Sequence, residues 1–357
     1  MILKAPFPWF GGKSRVAHVV WERFGDVPNY VEPFAGSLAV PLARPHAPKI
    51  ETVNDKDAYL ANFWRAVQAD PEAVAYHANW PVNEADLKAR HLWLVNEGRP
   101  LVERCMDDPE YFDARIAGWW VWGISCWIGG GWCTTQRANQ RRLPEMQGGG
   151  KGINRQSVWA SKPHVSTAGT GVHAPTIGVH AKRPKLMNEG SGVHTLALRG
   201  EQLTAYMEAL RDRLRFVRVC CGDWQRVVKP SVTITNGLTG VLLDPPYSEA
   251  AGRDMDCYGV EDGHVAHAVR EWALANGGNP QLRIALCGYA GEHDVLEQHG
   301  WRVHEWTTGP GYSVLAKQAQ RGKDNRKRER IWFSPHCLVT QPSLFDTHPL
   351  PLMEENA

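Results

Sequence analysis

The sequence predicts an α/β protein built on one open sheet that a long insertion divides. Three observations predict it. Strand-like and helix-like segments alternate over residues 1–68, the alternation stops, and it resumes from residue 203. The apolar runs at the strand positions are short and end at acids, glycines or prolines, as buried strands do. Polar motifs follow those runs, and an open α/β sheet binds its ligands beyond the carboxyl ends of its strands.

The elements follow in order. "NYVEPFAG" gives a short strand and a turn, and "IETVND" a second strand. "DKDAYLANFWRAVQ" is a helix with Leu60, Phe63, Trp64 and Val67 on one face. From about residue 70 the rhythm is lost: a helical, Trp-rich part reaches Ile128, then come a Gly- and Arg-rich loop and a Gly, His and Thr-rich tract. "LTAYMEALRDRL" is a helix aligning Leu203, Met207, Leu210 and Leu214. "FVRVCCGD" and "GVLLD" are strands, "EDGHVAHAVREWALAN" a helix, and "RIALCGY", "WRVHEW" and "ERIWFSP" strands. The domains are therefore drawn as residues 1–68 and 203–340, an inserted region at 69–202, and a tail at 341–357.

The bulk numbers fit a soluble globular chain: 357 residues, 43% hydrophobic and 22% charged. The N-terminus lacks a signal-peptide layout, because Pro6, Pro8 and glycines interrupt any apolar region. The apolar patch Ile116–Ile128 is shorter than the roughly 20 residues a bilayer requires. A cytoplasmic location in a bacterial cell is expected, without a membrane partner. Eight cysteines without CxxC spacing indicate neither zinc nor a disulfide framework. The repeated "GVH" offers His173, His180 and His194, yet no acid or cysteine completes a ligand set, so no metal is expected. Net charge is only +2, but basic residues cluster at 137–155 and at 321–330. Either cluster suits phosphate.

Four motifs carry chemistry. In "EPFAGS" Gly36 allows a tight turn and close approach to a ligand. "VNDKD" sets Asp55 at a strand end, where a carboxylate suits the two hydroxyls of a ribose. "CCGDWQ" sets Asp223 in a similar place. "GVLLDPPYSEA" runs a buried strand into Asp244, Pro245, Pro246 and Tyr247. The prolines fix two φ angles and remove two donors, so the segment is rigid and its carbonyl oxygens can accept from a ligand. An acid, carbonyls and a ring suit a flat, amino-bearing molecule.

"PWFGGKS", "EPFAGS", "VNDKD" and "DPPY", in this order, resemble the motifs of the Dam-like family of adenine-specific DNA methyltransferases, and "RERIWFSPHC" resembles the end of phage-type members. The resemblance covers residues 1–68 and 203–338. It implies a Rossmann-like class I methyltransferase sheet with an inserted, largely helical and loop-rich target-recognition domain, S-adenosyl-L-methionine as cofactor, and double-stranded DNA as partner. Trp9, Gly12 and Lys13 would frame the cofactor and the reacting site. Glu32, Phe34 and Gly36 would line the methionine part, Asp55 would hold the ribose, and Asp223 would contact the adenine ring. One departure stands out: the family often carries a second glycine after the first, where this chain has Ser37 and Leu38.

The resemblance also implies the reaction. Asp244 and the Pro245 carbonyl would accept the two amino hydrogens of an adenine, favouring a pyramidal nitrogen aimed at the sulfonium methyl. Tyr247 would stack on a base flipped from the duplex. Gln136, Arg137, Asn139, Gln140, Arg141 and Arg142 form the best candidate for reading bases, because Arg suits guanine and Asn or Gln suit adenine in the major groove. Arg326, Lys327 and Arg328 suit backbone phosphate. The alternatives are N(4)-cytosine or RNA adenine methylation, or a silent nucleic-acid-binding module. Asp244 favours adenine, since related cytosine enzymes more often carry Ser there. No GxGxxG follows a strand, which argues against a dinucleotide enzyme. A monomer is the simplest expectation, with a dimer as the other. The setting is a restriction-modification or anti-restriction one, with an orphan, phage-encoded enzyme as the reading.

Overall fold

The computed structural model describes residues 3–9, 12–127, 131–134, 196–246, 265–307 and 328–339. Seven strands form one sheet: β1 (Asn29–Glu32), β2 (Ile50–Asp55), β3 (Val217–Cys221), β4 (Thr239–Leu243), β5 (Leu282–Tyr289), β6 (Arg302–Glu305) and β7 (Glu329–Phe333). Their order is β3-β2-β1-β4-β5-β7-β6. Strands β1 to β5 run parallel, and β7 is antiparallel between β5 and β6. The two α/β parts of the sequence are thus halves of a single sheet. The chain leaves β1 toward β2 and β3, then returns to β4 on the other side, which opens a crevice between the carboxyl ends of β1 and β4.

Central strands of such a sheet are covered on both faces, and β1 and β4 are buried throughout. β1 manages this with a polar residue at each end. Asn29 Nδ2 donates to the carbonyls of Val232 and Thr233 at 2.9 and 3.2 Å and to Thr239 Oγ1 at 2.9 Å, pinning the start of β4. Side chains alternate across the sheet as the two-residue period requires. Ala285 and Cys287 of β5 pack with helix α1 (Ala17–Phe24) on one face. Ile284 and Leu286 pack on the other face with a second helix, Val265–Asn276.

Helices cover the β2 and β3 side. They are α3 (Ala58–Ala69), which follows the one-turn α2 (Ala39–Leu42), then α4 (Pro71–Ala78), α5 (Glu84–Trp93), α6 (Arg99–Val102), α7 (Ala114–Cys126) and α8 (Leu196–Leu214). Asp57, Asp70, Asn83 and Asp113 cap α3, α4, α5 and α7 by accepting from backbone N–H groups. The sequence suggests one buried face for α3, whereas every residue from Ala58 to Val67 is buried. The reason is that α4, α7 and α8 wrap it against the sheet. Leu203, Met207, Leu210 and Leu214 of α8 are buried as expected and share a core with α3, α4 and α7. Glu51 of β2 is buried between Arg44 and Arg213, with contacts of 3.1 and 2.7 Å, tying α8 to the sheet. Among the described residues no helix is long and apolar enough to cross a membrane.

Candidate active site between β1 and β4

The site grows from the end of β1. Glu32 is buried and accepts from the Tyr30 hydroxyl at 3.1 Å. Burial holds its carboxyl well above the usual range, against the Tyr30 hydrogen bond, and nearby Asp244 and Asp55 add to the effect. The turn that follows is fastened at four points. Ala35 N–H donates to the Asn54 carbonyl at 2.8 Å, Asn54 Nδ2 to the Pro33 carbonyl at 3.0 Å, Trp64 Nε1 to the Gly36 carbonyl at 3.1 Å, and Gly36 N–H to Asp55 Oδ2 at 3.0 Å.

Gly36 has φ of +49°, and a Cβ there would lie 2.6 Å from Trp9 Nε1. Only glycine fits that position without cost. A Cβ at Gly12 would meet ordinary contacts, with the Trp9 carbonyl at 3.5 Å and Ser37 Oγ at 3.8 Å. The departure noted at Ser37 and Leu38 has a structural counterpart. Leu38 adopts φ of +52°, the left-handed conformation a glycine takes easily, and its side chain is wholly buried. Burial of an aliphatic side chain, about 1.5–3 kcal/mol, offsets a left-handed penalty of about 1–2 kcal/mol.

Asp55 closes β2. Its Oδ1 accepts from Asp57 N–H at 2.9 Å while Oδ2 accepts from Gly36, so one carboxylate sets both the β1 turn and the start of α3. Burial pushes its carboxyl up to about 7, although those backbone donors pull the other way. Asp223 is exposed and caps a short 3-10 turn through Gln225 N–H at 2.8 Å. Trp224 in that turn lies 6.0 Å from the Phe34 ring at an interplanar angle of 32°. Phe34, Gly36, Asp55 and Asp223 thus gather at the carboxyl ends of β1, β2 and β3. Trp9 joins them through an aromatic cluster in which Phe7 bridges Trp9, Phe63, Trp64 and Trp120.

Asp244 follows β4 directly. Lys13 Nζ donates to its Oδ2 at 2.7 Å; the lysine is buried and the carboxylate partly open. Burial works against the Lys13 ammonium, but Asp244, Cys287 and Glu329 outweigh it and hold the ammonium above its ordinary range. The Trp306 ring centre is 5.8 Å from Lys13 Nζ. Pro245 is buried and Pro246 half-buried. Tyr247, Gln136, Arg137, Asn139, Gln140, Arg141, Arg142, Arg326 and Lys327 lie outside the described residues, as do His173, His180 and His194. Arg328 is described: its guanidinium stands 5.2 Å over the Tyr289 ring, at the end of β5. Among the described residues no group of His, Cys, Asp and Glu could hold a metal ion.

Sequence reasoning missed Tyr30, Asn54, Trp64, Cys287 and Glu329. Asn54 alone had a signal, a polar residue inside an otherwise buried strand end. Tyr30 lies two residues before Glu32 on β1 and Trp64 comes from α3, while Cys287 and Glu329 reach the site only through sheet order.

The sheet order, with an acid-proline turn at the β1/β4 crevice, defines a Rossmann-like methyltransferase fold. A family model described as D12 class N6 adenine-specific DNA methyltransferase matches residues 9–91, which include Trp9, Gly12, Lys13, Glu32, Phe34, Gly36 and Asp55. That match, over residues 9–91, agrees with the Dam-like resemblance in pointing to an adenine-specific DNA methyltransferase. No curated protein matches the chain.

Proposed function

We propose that this chain transfers the methyl group of S-adenosyl-L-methionine to the N(6) amine of an adenine flipped out of double-stranded DNA. The observation that carries the reading is the meeting of Asp244 with Lys13 beside the Glu32–Gly36 turn at the β1/β4 crevice. The residues fit the cofactor on chemical grounds: Asp55 offers carboxylate oxygens, Phe34 and Trp224 offer tilted rings, and Gly36 brings bare backbone to the turn. When bound, the cofactor supplies an electrophilic methyl on a sulfonium leaving group.

The chain's own residues do the rest. Asp55 would accept from the ribose hydroxyls, while Phe34, Trp224 and Asp223 would border the adenine ring and Glu32, Trp9 and Gly12 the methionine end. Asp244 and the Pro245 carbonyl would accept the two hydrogens of the target amine. That draws its lone pair out of conjugation and orients the nitrogen for in-line attack. Pro246 stiffens the turn. Tyr247 would stack on the flipped base, returning roughly 1–3 kcal/mol of the few kcal/mol that flipping costs.

We assign residues 69–202 to target recognition, with base reading by Gln136–Arg142 and phosphate contact by Arg326, Lys327 and Arg328. The charge and amide content of these segments supports the assignment. An orphan, phage-type enzyme that protects DNA from restriction is the setting we infer from the C-terminal resemblance.

The test is methyl transfer from labelled S-adenosyl-L-methionine to unmethylated duplex DNA, digested to nucleosides, for wild type and Asp244→Ala. Label in N(6)-methyladenosine from wild type alone supports the reading. Label on cytosine, or none on DNA, overturns it.

A further inference from the structure

The motif resemblance implies that Lys13 frames the cofactor and the reacting site, and its ammonium meets Asp244. It sits in the 3-10 turn Lys13–Arg15 ahead of α1, its side chain is 5% exposed, and it meets Asp244 Oδ2 at 2.7 Å. The groups around it come from four strands: Asp244 after β4, Glu32 on β1 with Tyr30 against it, Cys287 on β5, and Glu329 at the start of β7. Glu32, Glu329 and Cys287 are each 5% exposed or less. Among the described residues, the other elements against the turn bring little charge. α2 has no titratable side chain, and His18 and Glu22 of α1 face solvent, as does Arg15 in the turn itself.

Three carboxylates therefore share the field of one buried ammonium, and only Asp244 is partly open. A charge-assisted contact of that length fixes both the rotamer of the acid and the oxygen used.

We propose that Lys13 is a positioning residue that acts through Asp244: its ammonium holds Oδ2 and thereby turns Oδ1 toward the target amine. The proposal rests on the methyl-transfer reading above. Lys13 does not touch the reacting atoms. Without the cation, the partly buried Asp244 carboxylate loses its charge partner, and a carboxylate so placed retains a proton to higher pH.

The experiment compares wild type, Lys13→Met and Lys13→Arg in single-turnover methyl transfer from pH 5.5 to 9, with cofactor affinity measured by equilibrium dialysis. For Lys13→Met the transfer rate at neutral pH is expected to fall at least tenfold, and the acid limb of the profile to move up by about one pH unit. The dissociation constant of S-adenosyl-L-methionine should stay within threefold of wild type. Lys13→Arg should keep the wild-type limb. Wild-type rate and limb in Lys13→Met would overturn the proposal, as would a loss of cofactor affinity matching the loss of rate.

If Lys13→Met does not fold by circular dichroism, Lys13→Arg decides. A wild-type limb supports the proposal, and a shifted limb overturns it. If wild type itself transfers no methyl group, the functional reading fails, and the ion pair is read by a double-variant cycle with Asp244→Asn in urea. Non-additive midpoints support the pair, and additive ones overturn it.

Discussion

If Asp55 holds the ribose as proposed, cofactor affinity should depend on pH. Burial pushes its carboxyl up to about 7, and accepting from two ribose hydroxyls while holding Gly36 and Asp57 N–H groups requires the ionised form. If only that form binds, the apparent dissociation constant is the intrinsic one divided by the ionised fraction. That fraction falls about tenfold between pH 8 and pH 6, so affinity should weaken about tenfold, or about 1.4 kcal/mol. Binding near pH 6 should release a proton, detectable by calorimetry in buffers of different ionisation enthalpy. Asp55→Asn removes the titration, so its affinity should be weaker and vary less over the same range. A wild-type affinity that is flat from pH 6 to 8 would refute the reasoning. So would an Asp55→Asn profile of equal slope, because the slope would then belong to the cofactor's own groups. The sign for the unliganded fold is opposite. The folded pKa is raised, so this group's contribution to stability is lost as pH rises from about 4 to 7.

Other expectations concern the frame of the site. Gly36→Ala combines a φ of +49° with a Cβ 2.6 Å from Trp9 Nε1; a destabilisation of about 1–3 kcal/mol and weaker cofactor binding should appear in urea melts and dialysis, and wild-type values in both would contradict this geometry. His293 is buried with neither ring nitrogen hydrogen-bonded, and burial pushes its pKa down to about 4. Its contribution is complete above pH 6.5 and is lost as pH falls toward 4, by about 3 kcal/mol. His293→Leu should therefore flatten that acid limb and raise stability at pH 8 by about 1–3 kcal/mol. Equal pH slopes for variant and wild type, measured by urea unfolding, would count against it.

Much of the sheet was legible because its strands end in acids. The helix that opens on Asp57 is read from the sequence, whereas the starts capped by Asp70, Asn83 and Asp113 are not singled out there. The environment of the site was not legible. Nothing local in "RERIWF" relates Glu329 to Lys13, since the relation exists only once β7 inserts between β5 and β6. The full burial of α3 was hidden for a similar reason: its outer face is covered by α4, which folds back directly after it, and by α7 and α8, which lie far along the chain. Leu38 marks the limit of residue preference, since a left-handed leucine contradicts local propensity and is sustained by burial.

The order in which the sheet is assembled bears on how the protein is made. β1 is an interior strand, yet its neighbour β4 is encoded only at Thr239–Leu243, and the N-terminal segment docks through Lys4 onto Tyr206, 202 residues later. A ribosome that has produced the first half of the chain therefore exposes β1 and β2 with open hydrogen-bonding edges. Loop closure of that span must precede any reward from the pairing. Slowing translation just after β4 should therefore favour soluble enzyme more than slowing it ahead of β3.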